Sequence, residues 1–239
     1  SKSVWARIAV VAAGAIFNFI LAFIFAVILV SYTGYDEPII SGVVAGYSAE
    51  AEGMQEGDRI VKMNGKRIHL WREVTSYNMF HPGEKVNLVY ERDGETHKVT
   101  IIPKQDEDGK YLLGVTSPAQ YEKANVFTAI QYGVYEVKFW VSSSVDSLKL
   151  LFTGKASFNE LSGPVGIVQN VGSSYQNTVS NRGTYYGFLT ILTWGVLLSA
   201  SLGVMNLLPI PALDGGRLVF LIIEAIRGKA MDPNKEGMV

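Results

Sequence analysis

Residues 8–32 read "IAVVAAGAIFNFILAFIFAVILVSY", and no Asp, Glu, Lys or Arg occurs from Ile8 through Tyr35. A bilayer-spanning helix needs roughly 20 consecutive apolar residues, and this run exceeds that length. A cleaved signal sequence has an apolar region of only ~7 to 15 residues and ends at a small-residue processing site. The run is too long for that, so a transmembrane helix is predicted within residues 1–33.

Working outward, a second uncharged stretch extends from Gly183 to Leu213, with "YYGFLTILTWGVLLSASLGVMNLLPIPAL" at its heart. Tyr185, Tyr186 and Trp194 lie toward its start, as aromatic residues do at a membrane interface. It predicts a second span over 184–213. Lys2 and Arg7 precede the first span, Arg217, Arg227 and Lys229 follow the second, and Ser31 to Met54 holds no basic residue. The positive-inside rule then makes both ends of the chain cytoplasmic and the intervening residues extracytoplasmic. Residues 214–239 read as a cytoplasmic segment. The 21 basic and 22 acidic residues nearly cancel, so no basic excess points to a nucleic-acid partner. Cysteine is absent, which excludes disulfides, Cys-type zinc fingers and a thiol nucleophile.

Between the spans the pattern changes to short apolar alternations. "ISGVVA", "DRIVKMNG", "KVNLVYERDG" and "HKVTIIPK" read as strands, with Asn64-Gly65 and Asp93-Gly94 as hairpin turns. Ser48–Glu52 and Leu70–Met79 are helix candidates. The order of these signals over residues 34–118, and "GMQEGDRIVKMNG" in particular, resembles a circularly permuted bacterial PDZ domain. That resemblance implies a peptide docking as an added strand, with Leu113, Gly114 and Val115 in place of the peptide-binding loop. A closing strand with no ligand is the alternative reading of the same residues. In 119–183, the helix-length run 125–152 is interrupted by Glu136, Lys138, Asp146 and Lys149, which predicts an amphipathic helix on the membrane or on a neighbouring domain. "LSGPVGIVQNVGSSY" then reads as a loop opened by Gly163-Pro164 and leading to the second span.

His69, His81 and His97 all lie in the intervening domain without metal-ligand spacing, and a lone His there reads as a solvated group. Nor is there a G-x-S-x-G elbow or a P-loop. The chemistry-bearing stretch is "NLLPIPALDGGR", Asn206 to Arg217. An acid at the end of an apolar segment is costly in lipid and points to function. Pro209 and Pro211 cannot continue a regular helix, and irregular backbone at membrane depth is tolerated only in protein or against a wet cavity. The bland reading makes the prolines the end of the span and Asp214-Gly215-Gly216 an ordinary turn. Spacing alone leaves both open.

"NLLPIPALDGGR", with "GAIFNFILA" in the first span and a PDZ-like domain between, resembles the site-2 protease family of intramembrane zinc metalloproteases, in its bacterial RseP-like branch. The likeness runs through essentially the whole chain. It implies α-helical transmembrane segments with an inserted α+β PDZ-like domain, a multi-pass cell-membrane location, and transmembrane proteins as substrates. It also implies zinc, with Asp214 as a metal ligand and Asn206, Asn18 and Pro209 near the substrate. Gly14 and Asn18 match the family's first-span motif, although Ala15 stands where proline is common; "GPVGI" at 163–167 also matches. The family's two other zinc ligands and its general base come from a His-Glu-x-x-His helix that these residues lack. One carboxylate does not complete a catalytic zinc site, so the expectation is an inactive fragment of a longer enzyme with a further span after Val239. Two rivals remain open: a membrane-anchored PDZ-type adaptor without catalysis, and a transporter subunit using Asn18, Asn206 and Asp214 as an ion site.

Overall fold

The computed structural model describes residues 3–117, 121–155, 163–210 and 213–228. Pro211, Lys2 and residues 229–239, the part of the 214–239 segment expected from sequence to lead toward a further span, lie outside them. The chain divides into two units, one gathering Val30–Tyr135 with Phe152–Lys155 and the other built from the remaining helical segments.

In the first unit β1 (Gly42–Val43), α2 (Ser48–Ala51), β2 (Arg59–Met63), β3 (Lys66–Arg67), α3 (Trp71–Phe80), β4 (Val86–Arg92), β5 (Glu95–Ile101), β6 (Lys104–Gln105), β7 (Tyr111–Leu112) and β8 (Val115–Thr116) follow in order. Four strands form an antiparallel sheet in the order β3-β2-β4-β5, while β1 pairs with β8 and β6 with β7. The turns at Asn64-Gly65 and Asp93-Gly94 hold positive φ at both positions, the geometry of type I′ hairpins. A register shift between Ile60 and Lys62 explains why Ile60 and Met63, an odd number of positions apart, both point into the core. Val86, Leu88 and Tyr90 alternate inward from β4 to meet them, and Trp71, Val74 and Tyr77 close the core from α3. Burying such a side chain contributes about 1.5–3 kcal/mol.

Asp58 is 1% exposed and receives Arg92 Nε at 2.6 Å and Arg92 Nη2 at 2.7 Å. The Gln55 amide adds a third bond at 2.8 Å, so the buried charge is fully compensated. After the first helix, Tyr35 stacks on Tyr132 at 4.0 Å and exchanges backbone bonds with Glu122. Glu37 accepts from Tyr132 Oη and pairs with Arg59. Burial pushes the Asp36 carboxyl upward, opposed by Arg72 and by the backbone N–H groups of Trp71 and Arg72 at the start of α3. Burial and the neighbouring Glu37 likewise push the Tyr132 phenol upward.

The helical unit holds most of α1 (Val4–Thr33), the later part of α4 (Val126–Phe152), α5 (Pro164–Arg182), α6 (Thr184–Asn206) and α7 (Asp214–Arg227). At ~1.5 Å per residue, 30 residues of α1 and 23 of α6 extend about 45 and 35 Å, enough to cross a ~30 Å hydrocarbon layer. Phe19 packs on Gly203, Phe25 on Gly195, and Leu29 on Leu189 and Leu192. The contacts rise along α1 as they fall along α6, so the two helices run antiparallel. Small residues on α6 receive aromatic knobs from α1, the packing that helices use where no water drives them together. Val137, Trp140 and Val141 of α4 join this cluster.

The stretch "LSGPVGIVQNVGSSY", read from sequence as a loop leading to the second span, instead enters helix α5, Pro164–Arg182. Pro164 stands at the first turn of that helix, where its missing N–H costs nothing, so Gly163-Pro164 is a helix start rather than a breaker. Gly183 alone joins α5 to α6 with φ +91°, a conformation open to glycine. Tyr175 and Val179 then lie against Gly187, and Thr190 Oγ1 bonds Thr178 Oγ1 at 3.2 Å. The second apolar stretch also ends earlier than the span read over 184–213: α6 stops at Asn206 and a new helix starts at Asp214.

Candidate functional site

Why α6 stops is local. Leu207 and Leu208 donate to Val204 and Met205, three residues back, and Ile210 donates to Leu208, tightening the last turn ahead of Pro209, which has no amide to donate. Beyond it Leu213 donates to Ile210 and Gly216 to Leu213. The return is close: a Cβ on Gly215 would stand 2.2 Å from the Leu208 carbonyl oxygen and 2.5 Å from the Leu207 carbonyl carbon and oxygen. The first glycine of "LDGGR", Gly215, is thus a packing requirement of this turn.

Asp214 is the first residue of α7, where the partial positive charge of a helix N-terminus favours a carboxylate. It is half-buried and faces α1, since a Cβ on Gly14 would stand 3.1 Å from Asp214 Oδ2. Among the described residues no hydrogen bond or ion pair occupies its oxygens. Asn18 follows Gly14 by one helical turn on the same face of α1. Asn206 closes α6 three residues after Gly203, which meets Phe19. Both asparagines are half-buried and Pro209 is exposed. The structure therefore brings Gly14 and Asp214 together, and no hydrogen bond among the described residues links Asn18, Asn206 and Asp214 to one another.

Zinc chemistry needs more donors than this. Among the described residues no group of three or more His, Cys, Asp and Glu side chains is gathered to hold a metal ion. A catalytic zinc takes three protein ligands and keeps an open position; Asp214 is one member of such a set and not the set. The histidines do not supply the others. All three belong to the sheet unit, His69 stacked on Tyr135 at 4.0 Å, His81 on Tyr77 at 4.6 Å and His97 on Tyr90 at 5.1 Å.

The loop residues proposed for peptide docking are also in the sheet unit. Leu113 is buried in its core, Val115 is paired with Val43, and Gly114 lies beneath Tyr47, whose Cβ would be 2.2 Å from a Cβ added at 114. One feature of the helical unit goes unread in the sequence: Arg7 on α1 forms an ion pair with Glu224 on α7. Apart from Asp214, Glu224 is the only acid in α7, which is the signal that would single it out.

The model of a family described as Peptidase family M50 matches residues 1–239. The zinc metalloprotease RasP of Geobacillus kaustophilus is 36% identical over 241 residues, which cover 100% of this chain and 55% of that protein. The regulator of sigma-W protease RasP of Bacillus subtilis is 36% identical over 243 residues, again 100% of this chain and 55% of that protein. The chain thus spans about half the length of these curated relatives. Among solved structures, the PDZ domain of an SdrC-like protein from Listeria monocytogenes covers 36% of this chain and 90% of its own, at 22% identity and a TM-score of 0.31.

Proposed function

The chain belongs to peptidase family M50, and from that premise we propose that it is part of an intramembrane zinc metalloprotease that cuts membrane-spanning segments of other proteins. The observation that carries the reading is the placement of Asp214, at the start of a helix, half-buried and turned toward Gly14. In this proposal Asp214 contributes one oxygen ligand to zinc and the remaining ligands come from outside the residues described. Asn206, Asn18 and Pro209 border the path of the substrate. The irregular backbone from Leu207 onward, already departing from helical hydrogen bonding, offers a surface for an unwound substrate segment.

In the same reading α1 and α6 cross the cell membrane, within 1–33 and 184–213, as two of several spans. Residues 34–118 form an extracytoplasmic PDZ-like unit that takes an extended protein segment, at Leu113 to Val115, and so filters what reaches the membrane site. Residues 119–183 contact lipid or substrate. By itself the chain, without the histidine ligands, is inactive.

The test is Asp214→Ala in a protein extended to the length of the relatives, assayed for cleavage of a membrane-spanning substrate in vesicles. Loss of cleavage with unchanged membrane insertion supports the assignment; retained cleavage refutes it and favours a membrane-anchored peptide-binding adaptor.

A further inference from the structure

We infer that Arg7 and Glu224 form a register lock between α1 and α7 that sets where the Asp214 carboxylate stands. The inference rests on the proposed function only for the importance it gives to Asp214. Its geometric content is independent. Arg7 Nη2 donates to Glu224 Oε1, and the side chains are 34% and 11% exposed respectively. Both groups project from helices that are otherwise largely apolar, where a charge persists when it is paired.

The position of this pair gives it a role. Along α1, Arg7 and Gly14 are seven residues apart, or about 10 Å; along α7, Glu224 and Asp214 are ten apart, or about 15 Å. Arg7 meets Glu224 and Gly14 meets Asp214, so the two helices run antiparallel with contacts at both ends of the shared stretch. The long Arg and Glu side chains take up the difference in spacing. One contact would leave a pivot, whereas two fix the slide of α7 along α1 and its rotation. Gly14 has no side chain with which to hold anything, and the described residues give Asp214 no hydrogen bond. The close packing of Gly215 on Leu207 and Leu208 holds the start of α7 to the end of α6, and the polar hold at the other end is what fixes α7 against α1. Arg7 and Glu224 are positioning residues, acting on Asp214 through the α7 helix.

The chain has no cysteine, so a pair introduced as Gly14→Cys and Asp214→Cys reports the approach of α7 to α1 without background from other thiols in it. In membranes holding the full chain, copper-catalysed oxidation or a short thiol cross-linker joins this pair efficiently. Adding Arg7→Ala or Glu224→Gln lowers the yield several-fold, and the charge exchange Arg7→Glu with Glu224→Arg restores most of it. Unchanged yield in the single variants overturns the inference. So does a loss in both singles that the exchange fails to repair, with unaltered thermal unfolding showing each variant folded.

A second arm keeps Asp214 in place, in a protein extended to the length of the relatives. There Glu224→Gln lowers kcat several-fold with KM unchanged, and the exchange restores it. If cross-linking follows the lock while the parental protein cleaves nothing, the proposed function fails and the register lock stands.

Discussion

Replacing Gly215 by alanine probes the turn that presents Asp214. The new Cβ would lie 2.2 Å from the Leu208 carbonyl oxygen and 2.5 Å from the Leu207 carbonyl carbon and oxygen, and the nearest obstacles are backbone rather than a side chain that rotates away. Restoring ordinary contact needs α7 to retreat from the end of α6 by about 1 Å, and overpacking of this kind costs about 1–3 kcal/mol. A reacting group displaced by about 1 Å loses on the order of 100-fold in rate. Gly215→Ala therefore lowers the melting temperature by several degrees and lowers cleavage further than stability accounts for. Gly172→Ala is the matched control: its Cβ enters open space in the middle of α5, where alanine is favoured over glycine by about 0.8–1.0 kcal/mol. Both variants are made in a protein extended to the length of the relatives and compared by thermal unfolding in detergent and by cleavage in vesicles. A Gly215→Ala protein as stable and as active as the parent would refute the close return of α7 onto Leu207 and Leu208.

Other perturbations test other parts. Arg92→Ala strips both arginine bonds, and the compensating charge, from an Asp58 that is 1% exposed and keeps only the Gln55 amide, and lowers the melting temperature clearly more than Arg59→Ala, whose exposed pair with Glu37 is of a kind worth ~0–1 kcal/mol; equal effects would contradict the buried bidentate pair. Because the Asp36 carboxyl is raised above its ordinary value of 3.8 by burial, the folded state binds its proton more tightly than the unfolded one. Its contribution to stability is therefore greatest at low pH and is lost as pH rises from about 3.8 through the folded-state value. Asp36→Asn should raise the melting temperature at pH 7 and leave it unchanged at pH 3, and a melting profile parallel to the parent's across that range would refute the burial argument. Gly114→Ala meets both a φ of +86° and the Tyr47 Cβ, so it destabilises by more than ~1 kcal/mol in thermal unfolding; a neutral outcome would exclude the described loop geometry.

The residues differ in how openly they show their roles. Asn64-Gly65 and Asp93-Gly94 announce hairpins because type I′ turns demand positive φ, a local requirement visible in two letters. Charge-free runs announce α1 and α6 for a similarly local reason, their length. Helix α5 does not announce itself, since "VQNVGSSYQNTVSNR" has little apolar periodicity and its partner is the Gly187 face of α6, a tertiary contact. The end of α6 at Asn206 was obscured by apolar Leu207 to Leu213, which look like continued span although Pro209 interrupts the hydrogen bonding. At the candidate site, Asp214 stood out as an acid beside apolar sequence. The approach of Gly14 to it and the Arg7–Glu224 pair each join residues about 200 positions apart, and no pattern within one segment encodes them.

Zinc content is the most direct measurement of the central claim, that Asp214 is a metal ligand of a membrane protease. A protein extended to the length of the relatives is purified with Asp214 and with Asp214→Ala, and metal per chain is determined by elemental analysis beside cleavage of a membrane-spanning substrate. The account predicts about one zinc per chain in the parent, with both metal and cleavage lost in the variant. Equal zinc in the two proteins, or cleavage that survives without Asp214, would contradict it.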